Sequence, residues 1–289
     1  MDDEVYARLR PLLFSIAYRM VGSVSEAEDL VQEAFVRFHQ HGEEVEDPKA
    51  FLSTVVTRLA IDHLRSARVR REAYVGPWLP EPLLGDDSAD PAAHAEMADS
   101  LSLAFLVLLE QLSPLERAAF LLREVFGYSY EQVAETVGRS QDSCRQLVAR
   151  ARRHLDAGRP RYEVSNAQHE ELTERFLQAC LTGDVDGLAE LLAADVELVT
   201  DGGGRVRAVR KPVRGRDNVG RVLITITQPD RRAGIAAIRP VQVNGRPGRL
   251  AVDADGAPVG VLELDVAGGL VRAIRMVLNP EKLAHLAPR

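Results

Sequence analysis

Phe51–Arg71 reads FLSTVVTRLAIDHLRSARVRR and sets arginines 58, 65, 68, 70 and 71 against a single acid, Asp62. That local balance of +4 stands in a chain whose formal net charge is −7. At helical spacing Arg58, Asp62 and Arg65 share one face, with His63 and Arg68 at its edges. Leu52, Val56, Leu59, Ala60, Leu64 and Ala67 form an apolar stripe opposite. Guanidinium groups held along one helix face neutralise phosphates, so the chemistry on offer is recognition of a polyanion such as DNA. A merely solvated basic face is the competing account, and the rest of the chain has to decide. A second basic cluster, Arg139–Arg161, holds seven arginines and two acids, Asp142 and Asp156. Groups for catalysis are scarce. From Ser165 onward the histidines are His169 and His285, with no Asp–His pairing, and Asp195 and Asp201 are the acids that could act as bases. Cys144 and Cys180 are isolated, which indicates neither a disulfide framework nor a zinc site. No catalytic residue, metal or cofactor is expected.

At 289 residues, 46% hydrophobic and 27% charged, the chain has the length for two or three domains with real cores. No apolar run approaches the roughly 20 residues that span a bilayer. The longest, Leu103–Leu109, is far shorter, and the N-terminus is acidic. No membrane association and a cytoplasmic location are expected.

The elements that must carry these groups follow in order. A first helix is predicted over Val5–Val21, stopped by Gly22. Ser25 with Glu28 has the pattern of a capping box opening the next helix, whose stripe is Ala27, Leu30, Val31, Ala34, Phe35 and Phe38. Asp29, Gln32, Glu33 and Arg37 lie on its polar side. The acidic loop His41–Pro48 ends in Asp-Pro and separates this helix from Phe51–Arg71. Gly76–Asp99 is rich in proline and acid and reads as an extended linker. Within it Trp78, Leu79, Pro80, Glu81 and Pro82 hold the only tryptophan, which marks a docking point, since a passive tether has no use for so large an apolar surface.

Helix returns over Leu101–Arg161. Ser113–Glu116 and Ser129–Gln132 carry capping-box signals. Val133, Ala134, Val137, Gly138, Cys144 and Leu147 have the spacing of a helix-turn-helix, with the small residue at the crossing and the glycine at the turn. The basic second helix, Gln141–Leu155, is then the one for a major groove. Beyond Ser165 come helices over Ala167–Thr182, Val185–Leu192 and Asp217–Ile226. Strands follow around Val196–Thr200, Ile235–Val243, Leu250–Asp253, Val259–Val266 and Val271–Leu278, with Asn244-Gly245 and Asp255-Gly256 as hairpin turns. Helices followed by an antiparallel sheet make an α+β domain.

Assembled, these motifs resemble a bacterial RNA polymerase sigma factor of the extracytoplasmic-function type. The Asp29–Glu33 helix resembles the region-two surface that docks on the polymerase clamp. Phe51–Arg71 resembles the helix that reads and melts the minus-ten element, and Leu112–Leu155 resembles region four, which reads the minus-thirty-five element. Trp78–Pro82, Asp201-Gly202-Gly203-Gly204 and Asn279-Pro280-Glu281-Lys282-Leu283 resemble three signatures of the SigJ-type subgroup. That subgroup carries a fused SnoaL-like extension of the nuclear-transport-factor-type cone fold. Relatives open the recognition helix with a Gly-Thr-Val-Lys-Ser-like run. Here it is Asp142, Ser143, Cys144, Arg145 and Gln146, and the acid bears on promoter preference.

The resemblance implies a multidomain architecture: two all-α sigma domains, a region-two helical bundle (1–75) and a region-four helix-turn-helix (101–160), joined by an acidic linker (76–100). A C-terminal α+β SnoaL-like, cone-shaped domain (165–289) completes it. It implies an alternative sigma factor that binds core RNA polymerase and promoter DNA and is regulated in cis, with no separate anti-sigma factor required. Asp29, Gln32 and Glu33 are its candidates for polymerase docking. Arg58, Asp62, His63, Arg65 and Arg68 are those for the minus-ten element, with base capture at the His41–Pro48 loop. Gln141, Ser143, Arg145, Gln146 and Arg150 are those for the minus-thirty-five element. Trp78, Leu79, Pro80, Glu81 and Pro82 are expected to meet Asp201, Gly202, Gly203 and Gly204 in a regulatory contact. The extension is also a candidate for holding a small-molecule ligand. The alternative, a one-component helix-turn-helix regulator with a ligand-binding or vestigial enzymatic domain, leaves the Asp29–Glu33 and Phe51–Arg71 helices without a role.

Overall fold

The computed structural model describes residues 2–41, 45–85, 101–156, 165–228 and 234–287. The chain divides into two units: Met1–Ala73 with Leu106–Arg159, and Tyr74–Phe105 with Pro160–Arg289.

The first unit is helical. Helices α1 (Asp2–Val21), α2 (Val24–His41) and α3 (Pro48–Glu72) form a three-helix bundle. Leu13, Ile16, Ala17, Ala27, Val31, Ala34, Leu52, Val56 and Ala60 are buried in it. The capping of α2 differs from the Ser25 pattern. The helix opens two residues earlier, Ser23 Oγ accepts from the Glu26 amide (3.2 Å), and Glu28 is spent on Arg10 (2.6 Å). Both serines satisfy the sequence pattern, and the early break at Gly22, with φ of +72°, favours the first. Asp47 caps α3 by accepting from the Lys49 and Ala50 amides (3.0 and 3.1 Å), with Pro48 at the first helical position.

The same unit contains α5 (Pro114–Phe120), continued by one π-helical turn (Leu121–Val125), α6 (Tyr130–Val137) and α7 (Gln141–Asp156). A further helix, α4 (Leu103–Leu109), precedes them. Full capping boxes at Ser113–Glu116 and Ser129–Gln132 open α5 and α6. Gly138, at φ of +69°, ends α6 and turns the chain into α7, with Cys144 and Leu147 buried at the crossing. Arg117, buried to 3% exposure, fastens α5 to the bundle. It donates to the Met20 carbonyl (2.5 Å) and the Leu109 carbonyl (2.9 Å) and pairs with Glu110 (2.8 Å).

The second unit is α+β. Its helices are α8 (Asn166–Thr182), α9 (Val185–Leu191), α10 (Arg216–Ile226) and α11 (Pro280–Leu283). Its strands are β1 (Leu84–Gly85), β2 (Leu192–Asp201), β3 (Val213–Arg214), β4 (Ala237–Val243), β5 (Arg246–Val252), β6 (Pro258–Ala267) and β7 (Leu270–Val277). The sheet order is β1-β4-β5-β6-β7-β2-β3, antiparallel except for the β2–β7 pair. Asn244 at φ of +52° and Gly245 at +79° make the tight β4–β5 turn. Leu172, Phe176, Leu188, Val196, Val219 and Ile274 belong to one core between these helices and the sheet.

Part of the stretch read as linker is structural. Leu84 and Gly85 pair antiparallel with Val243 and Gln242 at the sheet edge. Asn244 fixes both sides of the gap: its Oδ1 accepts from the Leu83 amide (2.9 Å) and its Nδ2 donates to the Leu101 carbonyl (2.9 Å). Residues 86–100 lie outside the described residues.

Candidate functional site

Asp29, Gln32 and Glu33 sit exposed along one side of α2, and Glu33 pairs with Arg37 one turn on (2.8 Å). The apolar stripe of the same helix is buried in the bundle, which is what presents these three outward.

On α3, Arg58, Asp62 and Arg65 are exposed on a common face. Arg65 pairs with Asp62 (3.0 Å). His63 Nε2 lies 3.0 Å from Glu26 Oε2, close enough for an ion pair though off the axis of a hydrogen bond. Arg58 is committed elsewhere. Its Nε donates to the Thr136 carbonyl (2.9 Å) and its Nη2 to the Glu135 carbonyl (2.8 Å), at the C-terminal end of α6. The last carbonyls of a helix lack intrahelical donors and carry partial negative charge, so a guanidinium is the natural partner. Thr54 shares a hydrogen bond with Thr136 (3.1 Å), and Tyr128 donates to Ser53 (2.8 Å). The basic face of α3 is thus latched to the helix-turn-helix. The Arg68 side chain and residues 42–44 of the His41–Pro48 loop lie outside the described residues.

On α7, Gln141, Arg145, Gln146 and Arg150 are exposed and Ser143 is half-buried. Asp142, the acid that opens this run, holds Arg145 (2.8 Å), whose guanidinium also lies 5.1 Å from the Tyr130 ring centre. Arg150 pairs with Glu116 (3.0 Å) and Arg152 with Glu124 (2.5 Å). Exposed pairs of this kind are worth about 0.2–1 kcal/mol each, so phosphates can displace the carboxylates.

The third constellation is built around Asp201, fully buried at the end of β2. Its Oδ1 accepts from Tyr74 Oη (2.6 Å) and the Gly203 amide (3.1 Å); its Oδ2 accepts from the Leu79 amide (2.8 Å) and Lys282 Nζ (2.7 Å). Lys282 also donates to the Leu79 carbonyl and lies 4.0 Å from the Trp78 ring centre. A cation over an indole face is held by the ring quadrupole. Burial, together with the Asp201 hydrogen bond, pushes the Tyr74 hydroxyl well above its usual range, so it stays a donor. The three glycines leave room for neighbours. A Cβ on Gly203 would lie 2.3 Å from Asn279 Nδ2, and one on Gly204 would lie 3.0 Å from Val75 Cβ. Leu79, Pro80, Glu81 and Pro82 are buried, Trp78 is half-buried, and His285 Nε2 lies 2.8 Å from the Pro82 carbonyl. Tyr74, Asn279 and Lys282 belong to this cluster although sequence reading did not place them in the contact. For the latter two the signal was available, since they stand in the Asn279–Leu283 motif.

Among the described residues neither candidate acid, Asp195 or Asp201, is left free to act as a base. Asp195 is exposed and paired with Arg272 (2.8 Å), while Asp201 is enclosed by its four donors. His169 is buried with Nε2 2.9 Å from the Leu264 carbonyl, and burial lowers its pKa. Among the described residues no group of three or more His, Cys, Asp or Glu is placed to hold a metal, and no helix is long and apolar enough to cross a membrane.

Comparison with known proteins bears on both units. The model of the Sigma-70 region 2 family matches residues 5–70, and that of Sigma-70, region 4, matches residues 102–155. The ECF RNA polymerase sigma factor SigJ of Mycobacterium tuberculosis is 36% identical over 296 residues, covering 98% of this chain and 93% of SigJ. The probable ECF RNA polymerase sigma factor SigI of the same species is 36% identical over 283 residues, covering 96% and 93%. The crystal structure of SigJ superposes with a TM-score of 0.78 at 34% identity, over 96% of this chain and 97% of that one.

Proposed function

The chain belongs to the extracytoplasmic-function family of RNA polymerase sigma factors, which bind core polymerase and promoter DNA to direct initiation, and we propose that its C-terminal domain restrains that activity in cis by gripping the segment between the two sigma regions. The observation that carries this reading is Asp201, a buried carboxylate whose four donors include Tyr74 and Leu79 of that segment. The one-component regulator is not favoured, because it gives α2 and the basic face of α3 nothing to do.

Promoter elements named for positions ten and thirty-five lie about 25 base pairs apart, or about 85 Å at about 3.4 Å per pair. Region-two and region-four helices that share one compact unit must separate to read both. The α3 face that would meet the minus-ten element is then latched by Arg58 to α6. Freed, the segment from Ala73 to Ser100 can extend up to about 90–100 Å. Tied at Asp201, Asn244 and β1, it cannot. A restraint fused to the chain removes the need for a separate anti-sigma factor.

In this account Asp29, Gln32 and Glu33 engage the polymerase clamp. Asp62, His63, Arg65 and Arg68, with Arg58 once released, face the minus-ten element. Gln141, Ser143, Arg145 and Gln146 near the start of α7 read base edges in the minus-thirty-five groove, and Arg150 contacts phosphate. The test is transcription with purified core polymerase on promoters selected from a random library. Initiation that requires the chain supports the reading. Tight DNA binding without polymerase, and no initiation with it, overturns it in favour of the one-component regulator.

A further inference from the structure

The C-terminal unit contains a cavity of about 400 Å³ between α8, α10 and the sheet, a volume suited to a small organic molecule. Phe176, Leu223, Ile226, Ile238, Val261 and Met276 supply much of its apolar wall. The polar groups on the inner wall are already bonded to protein. Arg249, 3% exposed, donates to Glu170 Oε1 (2.7 Å) and Glu174 Oε2 (2.9 Å). Thr227 Oγ1 donates to the Cys180 carbonyl (2.8 Å), and Thr200 Oγ1 is bonded to the Val209 amide (2.8 Å). Burial pushes the Cys180 thiol up to about 12, so it presents no thiolate. No carboxylate or imidazole lines the cavity among the described residues. Arg207, the other cation lining the cavity, is exposed to solvent, so a charged ligand seated against the inner wall would lose its hydration without a free counter-charge there.

The cavity shares a wall with the Asp201 cluster. Arg207, Ala208 and Val209 line it and belong to the loop that leaves Asp201. A Cβ on Gly202 would lie 2.7 Å from Ala208 Cβ, so the first glycine after Asp201 rests directly on that wall. On the other flank Leu278 lines the cavity while its amide donates to the Asp201 carbonyl (2.7 Å). A molecule that displaces Ala208 or Leu278 moves the backbone that aims the Asp201 carboxylate.

We propose that this cavity binds a small, uncharged, largely hydrocarbon molecule, and that its occupancy alters the hold of Asp201 on Leu79 and Lys282. The binding stands on the cavity alone, whereas its consequence for initiation rests on the restraint proposed above. The test titrates the full chain with N-phenyl-1-naphthylamine, a neutral probe that fluoresces in apolar sites, and with its sulfonated analogue 8-anilinonaphthalene-1-sulfonate. Saturable binding of the neutral probe, at least tenfold tighter than the sulfonate, is expected. Ala251→Phe, which fills the cavity from the sheet, and Ile226→Phe, which fills it from α10, should each weaken binding at least tenfold. Amide hydrogen exchange over Trp78–Leu84 should change at least threefold on saturation of the unmodified chain. Absent saturable binding, equal or tighter binding of the sulfonate, or binding unaffected by both filling variants overturns the site. Saturable binding with unchanged exchange overturns the coupling. Neither readout involves transcription, so failure of the restraint in transcription would leave both results standing.

Discussion

Removing the Asp201 carboxylate is the sharpest perturbation of the C-terminal unit. In Asp201→Ala the Lys282 ammonium, 7% exposed, loses its buried counter-charge, and the Leu79 amide and Tyr74 hydroxyl lose their acceptor. Breaking a buried ion pair from one side costs about 3–5 kcal/mol. An unpaired buried amide costs about 1–3 kcal/mol. The two penalties fall on one network and do not add, so a loss of about 3–5 kcal/mol is expected. Trp78 is the only tryptophan of the chain and packs against Lys282, so urea unfolding followed by its emission reports on this place. Lys282→Met should restore part of the loss in an Asp201→Ala background, because it removes the stranded charge. The double-mutant coupling should then exceed about 1.5 kcal/mol. A loss under about 1 kcal/mol for Asp201→Ala, or strictly additive single and double variants, would refute the reasoning.

Gly203→Ala should be costlier than Gly204→Ala. Both sites have positive φ, but the new methyl at 203 meets Asn279 Nδ2 at 2.3 Å, whereas at 204 it meets the Val75 side chain at 3.0 Å; thermal melts rank the two. Burial pushes the Glu263 carboxyl up to about 7 against the pull of Arg275, so the folded state holds a proton that the unfolded state has released. Its contribution, about 3 kcal/mol at most, is full below about pH 4.5 and lost as pH rises through about 7. Urea titrations across that window should show the decline in the parent and not in Glu263→Gln. Ser113→Ala removes the cap of α5 and should cost about 1 kcal/mol by chemical denaturation. Arg145→Ala should cost about 1–3 kcal/mol of discrimination at a base pair of the minus-thirty-five element, read by selection from randomised promoters with core polymerase.

The helical framework was legible because its signals are local. The capping boxes at Ser113 and Ser129, the glycine at 138 and the apolar stripes of α2 and α3 each specify an element without reference to distant residues. The hairpin turn Asn244-Gly245 was legible for the same reason. What escaped depends on partners far along the chain. Arg58 and Arg65 look alike on the same face of α3, yet one is spent on α6 and the other on Asp62. Arg117 resembles any surface arginine until its guanidinium is seen buried against the Met20 carbonyl. The strand at Leu84–Gly85 is too short to show a period and exists because β4 offers an open edge. Tyr74 carries no motif of its own, and only the fold brings it to Asp201, 127 positions away.

Restraint of initiation by the grip on Tyr74–Pro82 would be visible in transcription itself. Its most direct test is multiple-round transcription with core polymerase on one selected promoter, comparing the full chain with Asp201→Ala at equal polymerase occupancy. The released variant should make more transcript from the same start site. Unchanged or reduced output from a variant that binds polymerase as well as the parent would contradict the restraint.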